Sequence, residues 1–193
     1  TYTVKVKSGL KWSDGQPLDA NDFVLGIQRT CNPDNAGHYQ FILTEIIGCD
    51  AYYAAGKKTA DEKAALLKGL GVRAVDANTI EYKLSDPVPT FSTKLALWPT
   101  FPVAKHKMTA VDSKWLGPLE NVYNGPFKPT AYTEKDKMEL VPNDQYAGAQ
   151  KAQIEKLVLR YIDDPAVALN AYRAGEIDAS LVPTTQLDAV KKD

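Results

Sequence analysis

The side chains that could do metal or acid–base chemistry form no recognisable arrangement in this 193-residue sequence. His38 and His106 are the only two histidines, and neither stands at zinc-site spacing from a second ligand. No Gly-x-Ser-x-Gly segment is present to hold a serine nucleophile. The carboxylates are scattered, and a turn and a helix cap explain Asp14 and Asp22. We therefore predict no metal site, no catalytic centre and no enzymatic activity.

One glycine-rich segment could hold a phosphate group. Gly69–Ala74 matches the dinucleotide-binding pattern Gly-x-Gly-x-x-Ala. That pattern works when a strand leads in and a helix leads out, because the phosphates bind at the helix N-terminus. Here a predicted helix leads in, and alternating apolar residues predict a hairpin turned at Asp76–Asn78. The segment therefore predicts a helix end and a hairpin, without a cofactor.

The two cysteines, Cys31 and Cys49, have a spacing that fits no metal or redox signature. They could be buried thiols that pack as small hydrophobic side chains. They could also form a disulfide between the end of the first helix and the next helix, which would stabilise the fold by about 3 kcal/mol. Because both fall where two helices must pack together, we predict the disulfide in oxidised protein.

The charge composition excludes several classes of partner. Lys and Arg total 23 and Asp and Glu total 24, for a net charge of -1 without a run of like charge. This balance argues against nucleic acid or an anionic membrane.

No apolar stretch approaches the roughly 20 residues of a membrane-spanning helix. The chain is therefore expected to be soluble. Because the sequence starts at Thr1 within a predicted strand, we also expect it to be a processed or excised piece.

The first helix is predicted to begin within the stretch Trp12–Phe23. Asp19 is the predicted N-cap, and Asp22 completes a capping box three residues later. The turn at Asp14-Gly15 folds the preceding strand back, so we predict that Trp12 is buried against this helix. Apolar residues at helical spacing should face the core: Ala20, Phe23, Val24, Ile27 and Cys31.

The middle of the chain reads as helices and loops. A second helix is predicted over Thr44–Ala55, and Thr59 with Glu62 forms a capping box for a third. Further along, Pro99 and Pro102 should hold the chain extended.

The last third predicts strands and a helix. Phe127–Tyr132 and Lys137–Val141 should form a hairpin, and the apolar run in Ile154–Ile162 predicts a strand covered on both faces. Asp164 should cap a helix, after which Gly175–Asp178 should enter another strand. Strand, helix and strand form a right-handed crossover unit, so the predicted fold class is α+β (mixed α/β).

Several of these segments resemble a known family, the bacterial extracellular solute-binding proteins of family 5, which are oligopeptide and dipeptide receptors of ABC importers. The resemblance rests on Trp12–Phe23, on Pro102–Lys105, on the Asn-Gly-Pro-Phe turn at Asn124–Phe127 and on Gly-Glu-Ile-Asp at Gly175–Asp178. The family usually has Thr where this chain has Asp19, but both residues cap helices.

The resemblance implies part of a periplasmic-binding-protein architecture of type 2. Residues 1–121 would form a small α+β accessory domain. Residues 122–193 would form part of the first lobe, as a hairpin plus a β-α-β unit. Family members close two lobes on their solute, so this chain would lack the second lobe.

The resemblance also implies a function outside the cytoplasmic membrane. The receptor would be a monomer, periplasmic or held at the cell surface by a lipid anchor absent from this chain. It would capture oligopeptides or a related small solute and deliver them to membrane permease subunits.

In related receptors an aromatic residue in the loop that matches Gly37–Phe41 lies near the ligand. Tyr39 and its neighbour His38 are therefore the predicted ligand-binding residues. In the alternative, Tyr39 packs against the second helix.

The alternative function is a secreted hydrolase of peptides or glycans, for which we identify no nucleophile.

Overall fold

The computed structural model describes residues 1–108, 110–111 and 114–191. Helices and strands are mixed along the chain, as the α+β prediction requires: β1 (Tyr2–Lys5), α1 (Ala20–Thr30), α2 (Cys49–Tyr53), α3 (Ala60–Lys68), β2 (Val72–Asp76), β3 (Thr79–Tyr82), α4 (Phe91–Lys94), β4 (Phe127–Thr133), β5 (Lys137–Pro142), β6 (Leu157–Arg160), α5 (Pro165–Arg173) and α6 (Leu187–Val190). Short 3₁₀ turns occur at Pro33–Asn35, Gln40–Leu43, Trp98–Thr100 and Thr184–Gln186. Among the described residues, no helix has the length and apolar character needed to cross a membrane.

The first sheet has the strand order β1, β3, β2, with antiparallel neighbours. β2 and β3 form the predicted hairpin, and the carboxylate of Asp76 accepts from the backbone N–H of Asn78 at 2.7 Å and from the hydroxyl of Thr79 at 2.8 Å. α3 leads into Gly69 and β2 follows it. This order of elements is opposite to that of a dinucleotide site.

The predicted start of α1 is confirmed. The Asp19 carboxylate accepts from the backbone N–H of Asn21 at 2.8 Å, and the Asp22 carboxylate accepts from the backbone N–H of Asp19 at 2.8 Å. The capping box is therefore complete. Trp12 is 3% exposed and shares an apolar cluster with Phe23 of α1, so its predicted burial beside this helix is also confirmed.

The main core lies between α1 and the first sheet. Ile27 of α1, Ile80 of β3 and Phe91 of α4 are almost wholly buried in one cluster. The predicted disulfide between Cys31 and Cys49 is present in the same cluster, with 5.2 Å between the Cα atoms. It joins the C-cap of α1 to the first residue of α2.

Two predictions in this part of the chain are wrong. The helix predicted over Thr44–Ala55 is confined to α2, because Gly48 lies just before it with a φ of +83° that a continuing helix cannot contain. Pro99 was expected in extended chain but lies in the 3₁₀ turn Trp98–Thr100. A proline fits the first turn of a helix, since its missing N–H has no helical partner there.

The second sheet has the order β4, β5, β6 and is antiparallel. β4 and β5 form the predicted hairpin. The expectation that the next strand is covered on both faces is wrong, since Val158 and Leu159 in β6 are each 44% exposed. β6 lies at the sheet edge and pairs with β5 alone among the described strands.

The chain after β6 differs in part from the prediction. Asp164 caps α5 as expected, and its carboxylate accepts from the backbone N–H of Ala166 at 2.7 Å. The strand expected after α5 does not form: within the described ranges residues 176–183 form no β-ladder with another segment, and Leu181 is 87% exposed. A strand needs a neighbour for its backbone N–H and C=O groups. The predicted β-α-β unit is therefore a strand and a helix without the second strand.

Candidate functional site

The two residues predicted to bind a ligand lie on the loop between α1 and α2. His38 and Tyr39 are both exposed. The disulfide between α1 and α2 closes the two ends of this loop. From α2, the hydroxyl of Tyr53 donates to the carbonyl oxygen of Gly37 at 3.3 Å. The loop is therefore held at its ends and beside its centre, while the two predicted residues stay accessible.

Both residues line a cavity of about 280 Å³. Its walls are the C-terminal half of α1, the loop at 35–39, the segment 98–103 and Trp115. The aromatic lining residues are Tyr39, Trp98, Phe101 and Trp115, and the polar ones are Arg29, Thr30, Asn35 and His38. A cavity with mainly apolar walls and a few polar groups is the usual form of a small-ligand site.

Exposed aromatic rings surround Tyr39. Its ring meets that of Trp98 edge to face, with 4.8 Å between centroids and 76° between planes, and lies 5.7 Å from the ring of Phe41. Tyr39 is 47% exposed and Trp98 is 57% exposed. Edge-to-face pairs are favourable and leave ring faces available to a further group. Tyr39 thus contacts Trp98 and Phe41. Helix α2 contacts the loop through Tyr53 and through the carboxylate of Asp50, which accepts from the side-chain amide of Gln40 at 2.7 Å.

Arg29 forms part of the inner wall and is 4% exposed. Its Nη1 donates to the carbonyl oxygens of Ala110 and Val111 at 3.3 and 3.2 Å. Its guanidinium carbon lies 4.9 Å from the centre of the Trp115 ring, in a cation–π contact. Arg29 therefore holds Trp115 and residues 110–111 against the end of α1.

The width of the cavity depends on the close approach of α1 to the segment 98–103. A Cβ added at Gly26 would overlap the carbonyl oxygen of Phe101, so only glycine fits there without displacing the backbone. One turn later, the hydroxyl of Thr30 donates to the carbonyl oxygen of Pro99 at 2.7 Å. These two contacts position Trp98 and Phe101 beside the loop.

The N-terminal end of α1 is tied to the next residues of the same segment. The buried Asp22 carboxylate accepts from the backbone N–H of Lys105 at 2.9 Å, and the Asp22 carbonyl accepts from Val103 at 2.9 Å. The Lys105 ammonium pairs with the Asp19 carboxylate. Burial alone would raise the pKa of Asp19, but hydrogen bonds from Lys105 and Asn21 outweigh it, so the pKa lies below its ordinary value. Two of the segments that resemble the family thus contact each other directly.

The second histidine, His106, is not among the lining residues. Its Nε2 lies 2.8 Å from Oδ2 of Asp14, in the turn that precedes α1. Burial acts to raise the pKa of Asp14, but His106 and the backbone N–H of Gln16 lower it overall. In the part of the chain that the structure describes, no group of three His, Cys, Asp or Glu side chains could hold a metal ion.

Three aromatic lining residues are not predicted from the sequence, namely Trp98, Phe101 and Trp115. Each lies far from Tyr39 in the sequence, so no spacing rule connects them. One signal in the sequence could have identified them. Large aromatic residues stand there among prolines, in a segment that lacks the helical or strand periodicity typical of buried side chains. The cavity therefore joins a predicted loop to aromatic residues that were not predicted.

Comparison with known proteins gives a family match over the whole sequence. A sequence model described as "Bacterial extracellular solute-binding proteins, family 5 Middle" matches residues 1–193. The "Probable deoxycholate-binding periplasmic protein YgiS" of Escherichia coli strain K12 is 39% identical over 193 residues, covering 99% of this chain and 35% of that protein. The "Periplasmic oligopeptide-binding protein OppA" of Salmonella typhimurium is 33% identical over 196 residues, covering 100% of this chain and 35% of that protein.

Solved structures show the same likeness. The murein tripeptide binding protein MppA of Escherichia coli has a TM-score of 0.82 at 31% identity, covering 99% of this chain and 36% of that chain. The predicted partial architecture of a periplasmic binding protein is confirmed. The chain spans about 35% of the length of its curated relatives. Because the matched family consists of solute-binding proteins, the comparisons give the alternative of a secreted hydrolase no support.

Proposed function

Because the chain belongs to the bacterial extracellular solute-binding proteins of family 5, we propose that it forms part of a receptor for oligopeptides or a related small solute. The receptor delivers its solute to the membrane permease subunits of an ABC importer and does not change it chemically. The family match over the whole chain carries this proposal. Relatives are named for oligopeptides, a murein tripeptide and deoxycholate, so the solute is a peptide or a small amphipathic molecule.

We propose His38 and Tyr39 as contacts for that solute. Both are exposed, and both line the aromatic cavity beside α1. In receptors of this kind two lobes close on the ligand, so most of the contact area and the exclusion of water come from closure. The cavity would then be one wall of the complete site.

The proposed domain division is at about residue 121. Residues 1–121 would form an accessory domain and residues 122–193 part of the first lobe. The two sheets fall on either side of this point, and Leu169 is the only buried apolar side chain after Val122 among the described residues. Relatives are named periplasmic proteins. The receptor would act as a monomer in the periplasm or from a lipid anchor at the cell surface, without nucleic acid.

Calorimetry of two proteins tests this function. The isolated 193 residues and the full-length protein that contains them would each be titrated with a mixed pool of short peptides, and the recovered pool would be analysed by mass spectrometry. We expect the full-length protein to bind peptides and to return them intact. The isolated chain should fold but bind no peptide tightly, because it supplies one wall of the site.

Two results would contradict this account. Tight peptide binding by the isolated chain would place the complete site within it. Peptide cleavage by either protein, in a preparation free of contaminating peptidase, would favour the hydrolase.

A further inference from the structure

The aromatic cavity has a chemistry that favours one class of ligand group. Resting on the proposed function, we propose that it receives a large, flat, uncharged apolar group of the bound solute. Such a group could be an aromatic side chain of a peptide or the ring system of a steroid. The two observations that support this are the volume of the cavity and its exposed rings.

The volume limits how much of a solute can enter. The cavity measures about 280 Å³, just below the roughly 300–1,000 Å³ of sites that enclose a whole drug-sized ligand. It can therefore hold one side chain or part of a ring system, while the rest of the solute lies outside. This makes the cavity a subsite that selects for one group.

The exposed rings favour a flat apolar group. Trp98 and Tyr39 are each about half exposed and already contact each other edge to face. A ligand ring can add to such a pair by offset stacking or by a further edge contact. The contacts that Gly26 and Thr30 make with the segment 98–103 hold Trp98 in place before a ligand arrives. This order reduces the entropy that binding must remove.

Titration calorimetry of the full-length protein tests the inference with four probes, namely the peptides Ala-Trp-Ala, Ala-Ala-Ala and Ala-Lys-Ala, and sodium deoxycholate. We expect Ala-Trp-Ala or deoxycholate to bind at least about tenfold more tightly than the other two peptides. Preference for Ala-Trp-Ala would identify a peptide side chain as the natural occupant. Preference for deoxycholate would identify a steroid.

Variants at exposed positions show whether Trp98 causes the preference. Trp98→Ala should remove it, and Trp98→Phe should restore part of it, because Phe keeps an aromatic face. Val75→Ala is the control for loss of an exposed apolar side chain, since Val75 is 50% exposed on β2 and does not line the cavity. Thermal unfolding followed by circular dichroism would confirm that each variant is folded.

The outcomes separate this inference from the proposed function. If the wild-type protein bound none of the four probes but bound peptides from the mixed pool, only the inference would be overturned. If it also bound nothing from that pool, the proposed function would fail as well. If it bound peptides with a preference that Trp98→Ala left intact, or bound Ala-Lys-Ala as tightly as Ala-Trp-Ala, only the inference would be overturned.

Discussion

At the scale of single residues, the carboxylate of Asp22 is fully buried and accepts hydrogen bonds from the backbone N–H groups of Asp19 and Lys105. The first bond closes the capping box of α1, and the second attaches the segment that leads to the cavity. Hydrogen bonds of this kind replace the hydration that a buried charge has lost. Removing the carboxylate would leave two backbone donors without a partner.

We predict that Asp22→Ala lowers the free energy of unfolding by about 2–4 kcal/mol, because two donors are orphaned. Asp19→Ala should cost about 1 kcal/mol, as the loss of an ordinary N-cap does. Urea denaturation of both variants at neutral pH measures the difference. If both substitutions cost the same, the account of Asp22 as a link between α1 and the segment beyond Phe101 is wrong.

The disulfide between Cys31 and Cys49 gives a second prediction. Replacing both cysteines with serine should lower the free energy of unfolding by about 3 kcal/mol, because the unfolded chain regains the entropy of an open loop. Denaturant titration of oxidised wild type, reduced wild type and the double variant measures this. Thiol titration of the oxidised wild type without reductant should find no reactive thiol. Two reactive thiols would show that the bond is absent in solution.

At the scale of elements, α1 is the element that positions the candidate site. Its N-terminal end holds Lys105 through Asp19 and Asp22, and its C-terminal half forms the cavity wall. Its last residue before the loop is Thr30, and the disulfide follows at once. A change in the position of α1 would therefore alter the loop and the aromatic segment together.

The pairing of Asp19 with Lys105 predicts a dependence of stability on pH. The pKa of Asp19 in the fold lies below its ordinary value of 3.8. The ionised pair therefore stabilises the fold fully above that value, and this contribution is lost as the pH falls through the lowered pKa. Asp19→Asn keeps a good N-cap but removes the charge.

We expect wild type to be more stable than Asp19→Asn at neutral pH, with the difference shrinking below about pH 4. Urea midpoints of both proteins between pH 7 and pH 2 measure it. A difference that stays constant over this range would mean that the charge of Asp19 contributes nothing.

At the scale of the whole molecule, apolar surface is unevenly covered. The chain exposes 12,120 Å², whereas a compact monomer of this size exposes roughly 9,000 Å². Exposed apolar side chains after Val122 contribute to the excess: Tyr132, Ile154, Val158, Leu159, Tyr161, Val167, Tyr172, Leu181 and Leu187. Exposed apolar side chains in such number indicate a contact region. We propose that in the full-length protein the rest of the first lobe packs here.

Because the buried core is concentrated before Val122, local stability should differ between the two parts of the chain. In hydrogen exchange of the isolated chain, amides in α1 and β3 should be protected far longer than amides in β6 and α5, because only the former are anchored in a buried apolar cluster. In the full-length protein the protection of β6 and α5 should rise. Equal protection of both regions in the isolated chain would contradict the proposal that the rest of the first lobe packs on β6 and α5.

The sequence by itself determined the elements that depend on neighbouring residues. The caps at Asp19, Thr59 and Asp164 and the two hairpins were predicted and are present, because each needs contacts within only a few positions along the chain. The family was inferred from several short motifs that occur in the family's order along the chain, and the family match over the whole chain confirms this inference.

Only the tertiary structure decided which distant side chains meet. Tyr39 was predicted from the resemblance, but its contact with Trp98 and the cavity between them depend on the approach of α1 to the segment 98–103. The exposed faces of β6, and the missing strand after α5, likewise depend on whether a neighbouring segment is present to pair with the backbone. Side-chain periodicity reports that a residue suits a buried position, but packing between segments far apart in sequence determines what covers it.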